Sequence, residues 1–476
     1  MRENFKTVTL ILLVLCSVGL TYHIWFGASP LKESAAPRYE YAHFVEQYSR
    51  KEIVTPSLIV FEGEEEDVFR RGEGEYKRLW KEGGALLGRL GRQTFNRISE
   101  AEMEVLLEMA SSKTIFMFMV PLPVTFFLPE FTPSELNICR IFIIWEEHYY
   151  YVILEGEEIF TRRVFMDADE QLLGNLRPRE SCRHLCLPDR LIFDLPGNNF
   201  LEPGEGDIVN LGTAGLPVGE SDGPGLPIRD VKEDGENVFC LKLKDNRIFV
   251  PLDSFAAAEL SLQKEKIDKE ELVRAFFLDP SIARLIEERD GATFFTDGEK
   301  GLRIYPDGLV EYTAPGLVHI PPAMPYSAAL QKGAENLRLF GGWQPGIHLT
   351  RVEMQSEGYR LFWETFYAGL PLVGRRAGTE LVINEIGVFY YQRDLYQVVG
   401  EIGEKGSFRP FDEALAKAVL IYRESYPENE GILLGIEPVY YFSVEGMGTA
   451  KAVPAWSVSI SGLETMYLHW QTLEPL

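Results

Sequence analysis

Between Asp290 and Thr313 the chain reads DGATFFTDGEKGLRIYPDGLVEYT, and the fold class turns on this stretch. Three Asp-Gly pairs, 290–291, 297–298 and 307–308, punctuate strand-like runs at 292–296, 301–306 and 309–313. Asp-Gly between short strands is a strong local hairpin signal, because both residues tolerate the positive φ that tight turns need. An antiparallel meander is therefore expected here. Upstream, Asp268 is placed to cap a helix, with Glu271 reaching back as in a capping box. Asp279-Pro280 reads as the start of a second helix, with Ile282, Leu285 and Ile286 on one face. Downstream, a helix is expected at about 326–339.

The same mixture extends in both directions. Toward the C-terminus, strands are expected at 347–355, 359–367, 379–384 and 387–396. A helix at about 412–425 carries Leu415, Ala418, Val419 and Tyr422 at i, i+3, i+4, i+7. Strands near 438–445, 454–460 and 464–470 close the chain. Toward the N-terminus, helical patterns at 64–82 and 97–111 precede strands at 115–120, 124–128, 139–145, 149–154 and 159–165. The unbroken apolar run Ile141–Trp145 points to a strand covered on both faces. Residues 196–227 hold eight Gly and five Pro, which excludes helix or sheet interior. Strands at 238–243 and 247–251 flank a turn at Asp245-Asn246. The class is α+β. With 476 residues one core is too few, and breaks near 265 and 345 divide the chain into three mixed α/β units, 38–265, 266–345 and 346–476, with mainly antiparallel sheets.

Apolar residues make up 46% and charged residues 25%, while 72 acidic against 47 basic residues leave a formal charge of −25. That balance excludes nucleic acid as a partner, since phosphate neutralisation needs a basic surface. Five cysteines in so long a chain exclude a disulfide scaffold. Ahead of the units lies Val8–Phe26, 19 residues without Asp, Glu, Lys or Arg. As a helix it would reach about 28 Å, close to a bilayer's hydrocarbon thickness. Arg2 and Lys6 precede it, which favours a cytoplasmic segment 1–7, and Tyr22, Trp25 and Phe26 mark the far interface. A cleaved signal peptide would show a shorter apolar core and a small-x-small exit, yet Trp25 and Phe26 stand there, with Ser34-Ala35-Ala36 further on. The expectation is a transmembrane helix at 8–26, a linker at 27–37, and the bulk of the chain outside the cell membrane. Cys16, Ser17, Gly19 and Thr21 put small residues within one and a half turns of this helix, and Ser17 and Thr21 form a small-xxx-small pair on one face that lets a second membrane helix approach.

Catalytic patterns are weak. Gly219-Glu220-Ser221-Asp222-Gly223 matches the serine-elbow pattern, but neither strand nor helix flanks it. Ser261-Leu262-Gln263-Lys264 fits S-x-x-K without the partner motifs that acyl transfer needs. Cys182-Arg183-His184-Leu185-Cys186 could hold part of a zinc shell, though a disulfide or two inert thiols is the simpler reading. Asp167-Ala168-Asp169 opens like a calcium loop but has Leu172 where the turn needs Gly. No catalytic residue, metal or cofactor is assigned.

Four segments carry a resemblance: Ala275-Phe276-Phe277-Leu278-Asp279, Thr296-Asp297-Gly298-Glu299-Lys300-Gly301-Leu302, Val310-Glu311-Tyr312 and Val453-Pro454-Ala455-Trp456-Ser457-Val458. With the N-terminal span they make the chain similar to the YycH (WalH) family of Gram-positive bacteria, best over 266–476 plus the anchor. The resemblance implies a non-enzymatic accessory protein of a two-component system that modulates the WalK sensor histidine kinase. It implies contacts among transmembrane helices, a YycI-like partner and a possible homodimer. On this reading Ser17, Gly19 and Thr21 are the partner-contact residues. The alternatives are an extracytoplasmic envelope enzyme and a ligand-binding module.

Overall fold

The computed structural model describes residues 55–165, 173–179 and 256–476, apart from short stretches at 64–65, 73, 91–92, 132–135, 147, 318–323, 375–376, 427–429 and 445–448, and five strands between 184 and 251. The expected membrane helix, the linker and most of 196–227 lie outside the described residues. Among the described residues, no helix is long and apolar enough to cross a membrane.

The first sheet holds β1 (Leu58–Glu62), β2 (Glu66–Arg70), β3 (Asn96–Ile98), β4 (Ser112–Pro123), β5 (Asn137–Trp145), β6 (Tyr149–Gly156) and β7 (Ile159–Phe165). Its order is β2-β1-β4-β5-β6-β7-β3, antiparallel at each pairing. Helix α1 (Gly74–Leu90) buries Leu79, Leu86, Leu87 and Leu90 in one cluster with Ile141 and Ile143. Helix α2 (Glu100–Met109) sets Met103 against Phe142 and Ile144 on the opposite side. That explains the unbroken run at 141–145: alternate residues belong to two different cores.

Two expectations are corrected here. The helical pattern at 64–82 is only partly realised, because Glu66–Arg70 is a strand in register with β1 and the helix begins at Gly74. The segment 124–128 is not a strand, since Val124–Phe126 forms a 3-10 turn after β4.

Then come β8 (His184–Cys186), β9 (Arg190–Asp194), β10 (Leu211–Gly212), β11 (Val238–Leu243), β12 (Phe249–Pro251) and β13 (Ala256–Lys264). Helix α3 (Lys269–Phe276) is capped by Asp268, whose Oδ1 accepts from the Glu270 N–H at 2.9 Å. The cap thus uses Glu270 N–H alone; the reciprocal box with Glu271 does not form. Among the described residues a capping box does form between Ser99 and Glu102, at the start of α2.

The meander forms with one strand more than expected: β14 (Arg284–Glu287), β15 (Thr293–Thr296), β16 (Gly301–Ile304) and β17 (Leu309–Thr313). Gly291, Gly298 and Gly308 all take positive φ, confirming three Asp-Gly turns. The helix expected after Pro280 is a single 3-10 turn, Pro280–Ile282, and Leu285 and Ile286 lie in β14 opposite Phe295 and Phe294.

Helix α4 (Tyr326–Leu339) leads to β18 (Ile347–Met354), β19 (Tyr359–Tyr367), β20 (Leu370–Val373), β21 (Thr379–Ile383) and β22 (Val388–Asp394). Because β17 pairs with β22, the meander joins β21, β19 and β18 in one antiparallel sheet that continues past residue 345. Helices α3 and α4 cover one face, where Phe276 stacks on Phe340 at 4.1 Å and on Tyr312 at 4.6 Å.

The chain ends in β23 (Tyr396–Ser407), α5 (Phe411–Ser425), β24 (Glu430–Val444), β25 (Thr449–Ile460) and β26 (Met466–His469). The β24–β25 hairpin is the spine of a third sheet that takes in β13, β23 and β26 antiparallel, with β11 and β20 parallel to β24. Helix α5 packs Leu415, Ala418, Val419 and Tyr422 into its core, as the periodicity predicts. The whole is mixed α/β with mainly antiparallel sheets and few helices.

Candidate functional site

The face of the second sheet turned away from α3 and α4 is polar, and it meets the first and third sheets at one end. Side chains alternate along a strand, so burying Leu361 and Trp363 under α4 turns Phe362 and Glu364 of β19 to this opposite face. Arg351 of β18, Glu380 of β21 and Gln392 of β22 join them around a groove of about 240 Å³. Residues 377–379 form its rim. Gly378 makes that rim possible: it takes φ +96°, and a Cβ there would lie 2.6 Å from the Trp363 carbonyl oxygen.

The charges in the groove are unevenly answered. Arg351 lies over the Phe362 ring at 3.8 Å and reaches Glu353 through Nε at 3.3 Å. Glu380 is held by Arg360 Nε at 3.2 Å. Glu364 has no described Lys, Arg or His within ion-pair distance, and the Thr350 hydroxyl beside it donates to the Phe362 carbonyl at 3.4 Å. Burial pushes the Glu364 carboxyl up to about 7, the nearby charge of Glu437 on β24 adds to this, and Arg351 and Arg71 oppose it.

Next to the groove, Arg71 anchors the first sheet. Its Nε donates to the Pro56 carbonyl at 2.9 Å and its Nη2 to the Thr55 carbonyl at 2.8 Å. Thr55 in turn shares a hydrogen bond with His348 Nδ1 at 3.1 Å. Burial, with the Arg71 charge beside it, drives the His348 imidazole down to about 3, so it stays neutral. Tyr326 Oη donates to the Pro121 carbonyl at 2.8 Å and ties α4 to β4. The groove therefore sits on a seam between packed sheets.

The residues singled out by sequence are not gathered here. Ser17, Gly19 and Thr21 lie outside the described residues, as do Ser221, Cys182 and Asp167–Asp169. Cys186 falls in β8. Ser261 and Lys264 lie three apart on β13, so an extended strand sends them to opposite faces, and Lys264 Nζ donates to the Pro306 carbonyl at 2.8 Å. Among the described residues, no group of three His, Cys, Asp or Glu side chains could hold a metal ion. The groove residues carried no local motif, because they come from four strands joined only by the sheet.

No protein-family model matches the chain, and no curated protein matches its sequence. Solved structures do match. The crystal structure of YycH from Bacillus subtilis aligns at a TM-score of 0.55 and 13% identity, covering 89% of this chain and 97% of that one. The chain has a YycH-like fold. At that identity the YycH likeness establishes the fold. An uncharacterized protein from Eubacterium rectale (TM-score 0.36, 11% identity, 47% of this chain and 86% of that one) and the Bacillus megaterium YpeB C-terminal domain (0.28, 9%, 45% and 96%) align too loosely to add to the YycH-like assignment.

Proposed function

We propose that this protein is a membrane-anchored, extracytoplasmic regulator of a WalK-like sensor histidine kinase, acting together with a YycI-like partner. The observation that carries the reading is the YycH-like fold over 89% of the chain. The apolar span 8–26 supports the anchor, with Ser17, Gly19 and Thr21 as its contact residues and Ser17 and Thr21 sharing the face offered to a neighbouring membrane helix. A regulator of this kind works by binding two kinase arrangements with different affinity. The strongly acidic exterior fits a protein that stays soluble outside the bilayer and avoids polyanions. The same chain can form a homodimer through its exterior units.

The test is co-purification of the full-length chain from membranes with a sensor kinase, followed by kinase output in cells. Capture of the kinase is expected, and it should weaken when Ser17 and Thr21 are both replaced by Leu. Equal capture and equal output from that variant would remove the helix face from the model. Failure to capture any sensor kinase would remove the reading itself. A second reading, a ligand-binding module, is favoured by the groove at Glu364.

A further inference from the structure

Most ionic groups on the outer face of the second sheet are answered locally. Arg351 has Glu353, Arg360 has Glu380, and Arg303 has Glu288 at 2.9 Å. Glu364 is the exception in the groove. It is half-buried, it lines a cavity, and no described cation lies within ion-pair distance of it. A buried carboxylate without a cation is costly, and it is relieved either by a proton or by an opposite charge. The groove offers room for the second solution. About 240 Å³ admits a molecule of amino-acid size, well beyond a single water.

The charge balance around the groove selects the sign of the occupant. With Arg351 matched by Glu353 and Arg360 by Glu380, Glu364 is the carboxylate of the groove with no described cation within ion-pair distance; Arg71 acts on it from farther off, and Glu437 of β24, beside it, is itself offset by Arg70. Phe362, one face of whose ring is covered by Arg351, lines the groove with Gln392, whose amide oxygen accepts from the Tyr390 hydroxyl. We propose that this groove is a binding site for a small organic amine, with the ammonium group seated on the Glu364 carboxylate. An ammonium donates up to three hydrogen bonds, which the Glu364 carboxylate and the Thr350 hydroxyl oxygen can accept. Arg351 limits the affinity, because its charge competes for the same carboxylate.

Binding an amine would ionise Glu364 fully and release a proton to solvent. The charged groups facing it are Arg351 on β18, Arg71 beside β2, Glu437 on β24 and, among titratable groups, Tyr467 on β26, which Glu364 and Glu437 both act on.

The test is titration calorimetry on the full-length protein in detergent, with cadaverine as probe and glutarate as the anionic control of equal chain length. Cadaverine is expected to bind at millimolar concentration near pH 7. Its heat should differ between buffers of different ionisation enthalpy, reporting the released proton. Glu364→Gln should weaken binding about 10- to 100-fold, the range for losing one charge-assisted contact. Arg351→Met should tighten it, which a merely unfolded variant could not do. Glutarate should give no heat beyond dilution. Absence of cadaverine binding, equal binding to the Glu364→Gln variant with unchanged circular dichroism, or preferential binding of glutarate would each overturn the proposal. None of these outcomes bears on kinase capture, so the two readings fail separately.

Discussion

Glu265 and Arg393, 128 residues apart in sequence, form an ion pair in which the Arg393 side chain is 3% exposed. Arg393 also donates through Nη1 to the carbonyl of Gly341, just past α4. One guanidinium thereby ties the segment after β13 to β22 and to the end of α4. Breaking such a pair leaves the Gly341 carbonyl and the Glu265 carboxylate, itself 25% exposed, without their partner, costing at most about 3–5 kcal/mol. Arg393→Leu should therefore lower the urea midpoint sharply, whereas Arg393→Lys keeps the charge and should lose less. A Leu variant unfolding within about 1 kcal/mol of the parent would show that solvent reaches the pair.

Helix α1 carries neighbouring glycines with opposite surroundings. A Cβ on Gly83 would meet the Phe116 ring at 2.5 Å, while one on Gly84 meets nothing within 4 Å. Gly84→Ala should stabilise by about 0.5–1 kcal/mol through helix propensity. Gly83→Ala gains the same propensity but pushes a fully buried ring, a clash that costs about 1–3 kcal/mol. Denaturation midpoints moving in opposite directions would verify the packing of α1 on β4.

The Ser99 box at the start of α2 is more modest. Glu102 N–H donates to Ser99 Oγ at 3.3 Å, and the Ser99 N–H donates to the Glu102 carboxylate at 2.8 Å. Ser99→Ala should cost about 1 kcal/mol. The loss should appear as faster amide exchange in the first turn of α2, and unchanged exchange there would argue against the box.

The strands and helices with strong periodicity were legible in the sequence. Helix α4 spans the expected residues, and β4, β5, β6 and β7 overlap the expected runs. Where reading failed, two patterns coincided. Ile282, Leu285 and Ile286 suit one face of a helix, yet 283–287 is too short to be held as one, and the turn at Asp290-Gly291 lets it pair with β15 instead. All four side chains of β14 are exposed, so burial never constrained the choice. Strand β23 was illegible for another reason. Gly400, Gly403 and Gly406 interrupt its alternation, and its partner β13 lies more than a hundred residues earlier. The groove was illegible because Arg351, Glu364, Glu380 and Gln392 meet only through sheet register, which no local spacing encodes.

The seam beside the groove sets a pH response with two opposed parts. His348 is held near 3 in the folded protein against 6.5 when free, so the unfolded chain takes up its proton first. Its contribution to stability is complete above about 6.5 and is lost as pH falls toward 3. Glu364 is held near 7 against 4.5, so here the folded protein keeps the extra proton. Its contribution is complete below about 4.5 and is lost as pH rises through 7. Between about 4.5 and 6.5 the two slopes cancel at one proton each. Glu364→Gln should expose the histidine slope, so that stability climbs with pH across this window relative to the parent. His348→Asn, which can still bond Thr55, should expose the opposite slope. Urea midpoints at pH 4.5, 5.5 and 6.5 separate the two, and parallel profiles for both variants and the parent would mean that neither group is held as the seam requires.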